Sequence, residues 1–552
     1  MPAGSFLSEI DTRIVLPTAV AAVRWGELYG SSLAWALVEA APVSAPVLVV
    51  APTGREADRM LAELAFYAGR GQTLLSFPDR ETLPYDPFSP HPDIVSQRLQ
   101  TLATLPDLKR GLIVTTRAAL LDRLPPRRFI DAYAFGLRTG ERIDLARLRA
   151  RLAGAGYAHV TQVLSPGEFA VRGSVVDLYA AGATQPFRLD LFDDQIESIR
   201  SFDPADQRSA ERLDIVRLLP AREFPTSPEA VANFRSRWRE RFEGDPQTSP
   251  VYRAVTQGLA PAGIEAWLPF FFDQTASLAD YLPPAAVIVD TADLAHALPL
   301  AWAEIEDRHE QRRHDRERPI LPPDEAFVTA DVISAALAKH ARVLVTAVKA
   351  EPLASSLPIR NFGSEPPPDL RADPRAALPA AVLADFHARF AGRVLLTADS
   401  AGRRELLLEL LRRQDLHAVE VADWVGFAAG EQSLAIAVAP DVRGLVLPDR
   451  HVALVAEDQL FGERARQERR RRRADRDPQA ILRELAALSP GAPVVHEEYG
   501  VGRYRGLRVM QVDGNPAEFL VLEYAGGDLL YVPVHALDRV TRYTGGSPDA
   551  AP

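Results

Sequence analysis

The sequence contains no cysteine. Disulfides, thiolate-bound zinc and a cysteine nucleophile are therefore excluded, and an intracellular setting is the natural reading. Nor does any apolar run approach the roughly 20 residues needed to span a bilayer. The start, MPAGSFLSEIDTR, has no basic flank followed by an apolar core, so a cytoplasmic protein without membrane contact is expected. Positive charge is not in excess either: 63 Lys and Arg against 74 Asp and Glu leave a net charge of −11. The average field repels phosphate, so nucleic-acid contact would need a local basic patch, and proteins are the first partners to expect. There is no internal repeat, and the only biased tract is a run of five arginines.

What is present is ample core material: 552 residues, 47% of them hydrophobic, enough for about three to five domains. VLVVAP, TLLSFP and GLIVTT are short β-branched runs separated by alanine-rich helical stretches, the pattern of a parallel α/β sheet. Between the last two lies DRETLPYDPFSPHPDIVSQRLQTL, whose closely spaced prolines forbid regular structure until Asp93 can cap a helix. From about Leu124 the texture changes to alternating apolar residues in RGSVVDLYAAG and PFRLDLFDDQIESIRSF, which suits antiparallel strands in a second, inserted or appended domain. GLAPAGIEAWLPFFF and AVIVD then look like a return to the first core. RVLLTADS, LAIAVAP, GLVLP and HVALVAE give a third α/β unit. After the charge-dense segment 461–485, short runs broken by glycine predict a small β-barrel.

Each pattern that could carry chemistry is incomplete. A loop that cradles a triphosphate needs converging amides, a lysine and a hydroxyl for magnesium, in the pattern GxxxxGK[ST]. GELYGSSLA offers Gly26, Gly30, Ser31 and Ser32, but Ser31 stands near where the lysine should be. The expectation is a degenerate nucleotide loop with no ATP hydrolysis. His496 and Glu497 in VVHEEYGVGRYRGL suggest the zinc motif HExxH, yet Gly500 replaces the second histidine, so no metal is expected. Asp190, Asp193 and Asp194 have no histidine or metal partner and read as an acidic turn, so no catalytic residue is assigned. Arg172, Arg188 and Phe192 are residue types that anchor protein interfaces, and equally serve packing within a domain. Arg469, Arg470, Arg471, Arg472 and Arg473 read as a solvated helix or linker, with nucleic-acid contact as the alternative.

Four stretches together resemble one family. They are FPDRETLPYDPFSPHPDIVSQRLQTL, VRGSVVDLYAAGATQPFRLDLFDDQIESIRSFDPADQRS, GLAPAGIEAWLPFFF, and PVVHEEYGVGRYRGL with LEYAGGDLLYVPVHALDRVTRYTG. Spread from about residue 77 to 545, they are similar to the N-terminal half of the bacterial transcription-repair coupling factor family. The resemblance implies a multidomain α/β fold. A UvrB-like, degenerate RecA-type module would occupy residues 1–124 (domain 1a) and 214–345 (domain 1b), with a mixed α+β UvrA-docking domain at 125–213. A third α/β domain without a clear role would follow at 346–456, an arginine-rich linker at 457–488, a Tudor- or CarD-like barrel at 489–546, and a tail at 547–552.

On this resemblance Arg172, Arg188 and Phe192 would contact UvrA. Leu507, Arg508 and Met510 would contact the β subunit of RNA polymerase. The family commonly has histidine where Tyr499 stands. Its motor, two lobes that use ATP and magnesium to move along double-stranded DNA, would follow the barrel, whereas the sequence stops at SPDAAP. An adaptor lacking its engine, inactive alone and without a cofactor of its own, is thus the expectation. The alternative is a working UvrB-like ATPase or helicase subunit.

Overall fold

The computed structural model describes residues 14–18, 20–40, 45–204, 207–351, 357–372 and 378–462. Beyond these it describes residues 491, 493–496, 500–512, 515–524, 528–533 and 540–542. The chain divides into two compact units, residues 1–202 with 209–467, and residues 203–208 with 468–552.

In the larger unit the β-branched runs form one all-parallel sheet. Its order is Ile359–Asn361, Ala22–Gly26, Ala341–Val345, Val287–Asp290, Pro46–Ala51, Gly111–Thr116, Leu74–Phe77. The two strands Pro46–Ala51 and Gly111–Thr116 are buried at every residue. This is why they read as unbroken apolar runs: helices cover both faces of a parallel sheet. The chain leaves this sheet after Gly111–Thr116, builds other structure, and returns through Val287–Asp290. The outermost strand, Ile359–Asn361, comes from still farther along and lies beside Ala22–Gly26.

The departure builds a six-stranded sheet in the order Ser209–Leu213, Gln195–Phe202, Phe187–Phe192, Val175–Tyr179, Glu168–Arg172, Ala158–His159. All its pairings are antiparallel except the last. A two-stranded ribbon, Phe135–Arg138 with Ile215–Leu218, begins and ends this segment. A third sheet has the order Val419–Glu420, Leu434–Val438, Arg393–Ala398, Val452–Ala456, Leu445–Leu447, parallel but for its final strand. The smaller unit holds five antiparallel strands, ordered Leu529–Pro533, Asn515–Glu523, Gly500–Val512, Pro493–His496, Val540–Arg542. Among the described residues no helix is long and apolar enough to cross a membrane.

The proline-rich segment is irregular but tightly held. The helix that ends it is Pro92–Thr104, and its cap is His91 rather than Asp93: the His91 Nδ1 accepts the Asp93 N–H at 3.3 Å. Proline at the first helical position costs nothing because that N–H has no partner in a helix. The segment packs so closely on Gly263 that a Cβ there would lie 2.7 Å from the Asp86 carbonyl oxygen. An ion network anchors its two ends. Arg98, with no exposed surface, donates from Nε to Glu223 Oε1 at 2.6 Å and from Nη1 to the Pro78 carbonyl at 2.9 Å, and pairs with Asp122 at 3.0 Å. Arg80 reaches the other Glu223 oxygen at 2.9 Å. Glu223 follows the ribbon strand Ile215–Leu218, so the network fastens the second domain's exit to the first sheet.

Burial alone would raise the Glu223 carboxyl, but Arg98 and Arg80 outweigh it and hold it below the usual carboxylate range. A depressed folded-state pKa gives a contribution that is complete above the unfolded value of about 4.3 and is lost as pH falls through the folded one. Glu223→Ala is therefore expected to destabilise by about 3–5 kcal/mol at pH 7, because it strands two buried guanidinium groups. The penalty should shrink below about pH 4, and urea unfolding followed by tryptophan emission at both pH values measures it.

Candidate functional site

Strand alternation sorts the six-stranded sheet into two faces. Val176, Leu178, Leu189 and Leu191 point into a core. The opposite face carries Arg172, Asp177, Arg188 and Phe192, since Asp177 is directly opposite Arg188 and Arg172 is opposite Val175. The organising group is Asp177, only 1% exposed. It accepts Arg188 Nε at 2.7 Å and Arg188 Nη2 at 3.0 Å, and it also accepts a hydrogen bond from Arg172. The Arg188 guanidinium lies 4.7 Å from the Phe202 ring centroid.

The three residues selected from sequence thus share one face but differ in availability. Arg188 keeps 19% of its side chain exposed and is committed to Asp177, whereas Arg172 keeps 53%. Phe192 is 74% exposed at a hairpin tip whose turn includes Asp193 at φ 58°. An aromatic ring that open is of the kind that anchors protein interfaces, and the same sheet face presents a guanidinium held by a buried carboxylate. Sequence reasoning missed Asp177 and Arg200, the exposed arginine opposite Arg188 on the next strand. The signal that could have found Asp177 is the tight turn at Gly173 and Ser174, which pairs Arg172 with Val175 and so puts Asp177, two residues on, on the face of Arg172.

The loop Gly26–Ser32 lies where the strand Ala22–Gly26 ends and the helix Ser32–Ala40 begins, the place a phosphate loop would occupy. Five of its amides are spent within the protein. Glu27 N–H donates to the Val348 carbonyl (3.0 Å), Leu28 N–H to Ala347 (3.1 Å), Ser31 N–H to Gly444 (3.2 Å) and Ser32 N–H to Tyr29 (3.1 Å). Tyr29 N–H donates to Ser364 Oγ at 2.9 Å. Both Ser31 and Ser32 are completely buried. The acidic residue at the end of Val287–Asp290 is committed too, since Asp290 accepts the Ala292 and Leu294 N–H groups.

In the smaller unit, Leu507, Arg508 and Met510 all lie on the strand Gly500–Val512, opposite Leu520, Phe519 and Ala517. Arg508 is exposed, with Nη1 3.5 Å from the Tyr531 hydroxyl; the Leu507 and Met510 side chains lie outside the described residues. His496 faces Gly500 across an antiparallel pair, each at the end of a strand. Arg469 to Arg473 lie outside the described residues. Among the described residues no group of three or more His, Cys, Asp or Glu is placed to hold a metal ion.

Three family models match. They are the UvrB interaction domain over residues 135–224, the MFD D3 domain over 386–460, and the CarD-like/TRCF RID domain over 488–544. The transcription-repair-coupling factor of Escherichia coli is 37% identical over 543 residues, covering 98% of this chain and 47% of the relative. That of Haemophilus influenzae is 36% identical over 92% of this chain and 44% of its own length, and that of Mycobacterium tuberculosis 30% over 92% and 43%. The chain matches the N-terminal region of the transcription-repair-coupling factor family. It spans about half the length of the relatives it matches. The UvrB interaction domain match encloses Arg172, Arg188 and Phe192; the third sheet falls within the MFD D3 match, and the strand of Leu507, Arg508 and Met510 within the CarD-like match.

Structural and presented residues separate by stability. Arg188→Ala is expected to cost about 1.5–3 kcal/mol, because it removes charged hydrogen bonds from a buried carboxylate. Phe192→Ala should stay within about 0.5 kcal/mol of the parent. Chemical denaturation of the two variants measures the difference, and equal losses would mean that Phe192 is packed and not presented.

Proposed function

We propose that this chain is a recruitment adaptor of transcription-coupled nucleotide-excision repair. The face bearing Arg172 and Phe192 docks UvrA, with Arg188 holding Asp177 and through it the orientation of Arg172. The smaller unit, read as a Tudor- or CarD-like barrel, grips the β subunit of a stalled RNA polymerase through Leu507, Arg508 and Met510. The first sheet is read as a UvrB-like, RecA-type domain whose nucleotide loop no longer works. Double-stranded DNA translocation, with its ATP and magnesium, belongs in this reading to parts of the family that this chain does not align with. Any direct DNA contact here falls to Arg469 to Arg473.

One observation carries the docking assignment: Phe192, 74% exposed, shares a sheet face with the half-exposed Arg172, on a sheet matched by the UvrB interaction domain model. A large ring held in water by a rigid hairpin gives up little conformational freedom when a partner covers it. Surface plasmon resonance with immobilised UvrA and no nucleotide tests the reading. The parent chain should bind, and Phe192→Ala and Arg172→Ala should each weaken binding by about 30-fold, the effect of losing an anchor worth about 2 kcal/mol. Unchanged affinity in both variants would remove the docking assignment.

A further inference from the structure

The third α/β domain is the part that the docking reading leaves without a task, and its contacts with the first sheet are specific. Ser31 N–H donates to the Gly444 carbonyl at 3.2 Å, and the Ser31 hydroxyl donates to the Arg443 carbonyl at 2.7 Å. Arg443 reaches past them to Glu63 on the helix Gly54–Ala68, with Nε to Oε1 at 2.7 Å and Nη2 to Oε2 at 3.0 Å. Glu63 has no exposed surface. Trp424 stands edge-on to Tyr67 at 5.0 Å, and one continuous core includes Leu33, Phe66 and Tyr67 with Trp424, Phe427 and Leu445. The connecting segment adds to the cover: Gly363 N–H donates to Glu27 Oε2 at 3.1 Å.

We propose that the third domain is the built-in ligand of the degenerate phosphate loop, with the Gly444 carbonyl seated on the amide of Ser31 and the Arg443–Glu63 pair latching it there. The amide before a helix start carries partial positive charge and binds anions in nucleotide-binding folds; here a neutral carbonyl dipole of the same chain takes that position. The fit is steric as well as polar. Gly30 has φ 57°, and a Cβ on it would lie 1.8 Å from the Gly444 carbonyl oxygen, so the loop's second glycine is the close-approach point for a peptide. The bidentate pair supplies direction, because a carboxylate without solvent has to keep its guanidinium. A tethered occupant never dissociates, so the two α/β domains act as one body in place of a nucleotide-driven pair. Nothing in this assignment depends on the UvrA reading.

Hydrogen exchange on the full chain tests the latch, read in peptides covering residues 27–33 and 424–429, with Gly111–Thr116 as an internal reference. Arg443→Ala and Gly30→Ala should each speed exchange in the first two segments by at least about tenfold, while the reference strand keeps its protection. Glu63→Gln, which preserves volume and removes the charge, should give the same local rise even if Arg443→Ala unfolds the chain. Parent-like exchange at residues 27–33 in Gly30→Ala and Glu63→Gln would overturn the proposal.

Discussion

Glu63 is the constraint from which the larger unit can be understood. A carboxylate with no solvent is tolerated only where a cation and further donors satisfy it, and its cation, Arg443, lies 380 positions later in the chain. Burial, the larger effect, pushes the Glu63 carboxyl up, and Arg443 opposes it. Meeting that one requirement brings the third sheet onto the first, merges their cores, and closes the loop Gly26–Ser32 as a by-product. The same device recurs with Glu223 between Arg98 and Arg80, and with Asp177 between Arg172 and Arg188. In each case a buried acid pairs arginines, and in the first two it joins segments far apart in sequence.

These acids do different work according to where their arginines point. The arginines of Glu223 are buried, so that network fixes how the antiparallel domain leaves the first sheet. One arginine of Asp177 stays open to solvent, and in the proposed reading that pair prepares a surface. Buried ion pairs add little net stability compared with apolar packing, yet losing one partner is costly. Such pairs hold the domains of the larger unit in one arrangement, because a misplaced domain leaves a charge stranded.

Much of the architecture was legible in the sequence, and the failures have physical reasons. VLVVAP and GLIVTT announced buried parallel strands because every strand residue in them is inside. RGSVVDLY and PFRLDLF announced antiparallel strands because one face is wet. Arg172, Arg188 and Phe192 were legible as a set because alternation puts them on one face, but their unequal exposure was not, since it depends on Asp177 reaching two neighbours. The strand Ile359–Asn361 is too short to show a period. His91 displaced Asp93 as a cap because proline set the helix start two residues earlier than the acidic side chain suggested. The Glu63–Arg443 pair lies in no local pattern at all, and GELYGSS could be read only as a loop missing its lysine, not as a loop already occupied.

If the third domain is the built-in occupant of the phosphate loop, as proposed, a nucleotide should find no room there. A fluorescence titration of the purified chain with a mant-labelled ATP and magnesium tests it most directly. The account predicts a flat response through the millimolar range, because the amides of Tyr29, Ser31 and Ser32 already have acceptors. Saturable binding that unlabelled ATP displaces, and that Ser31→Ala abolishes, would contradict it.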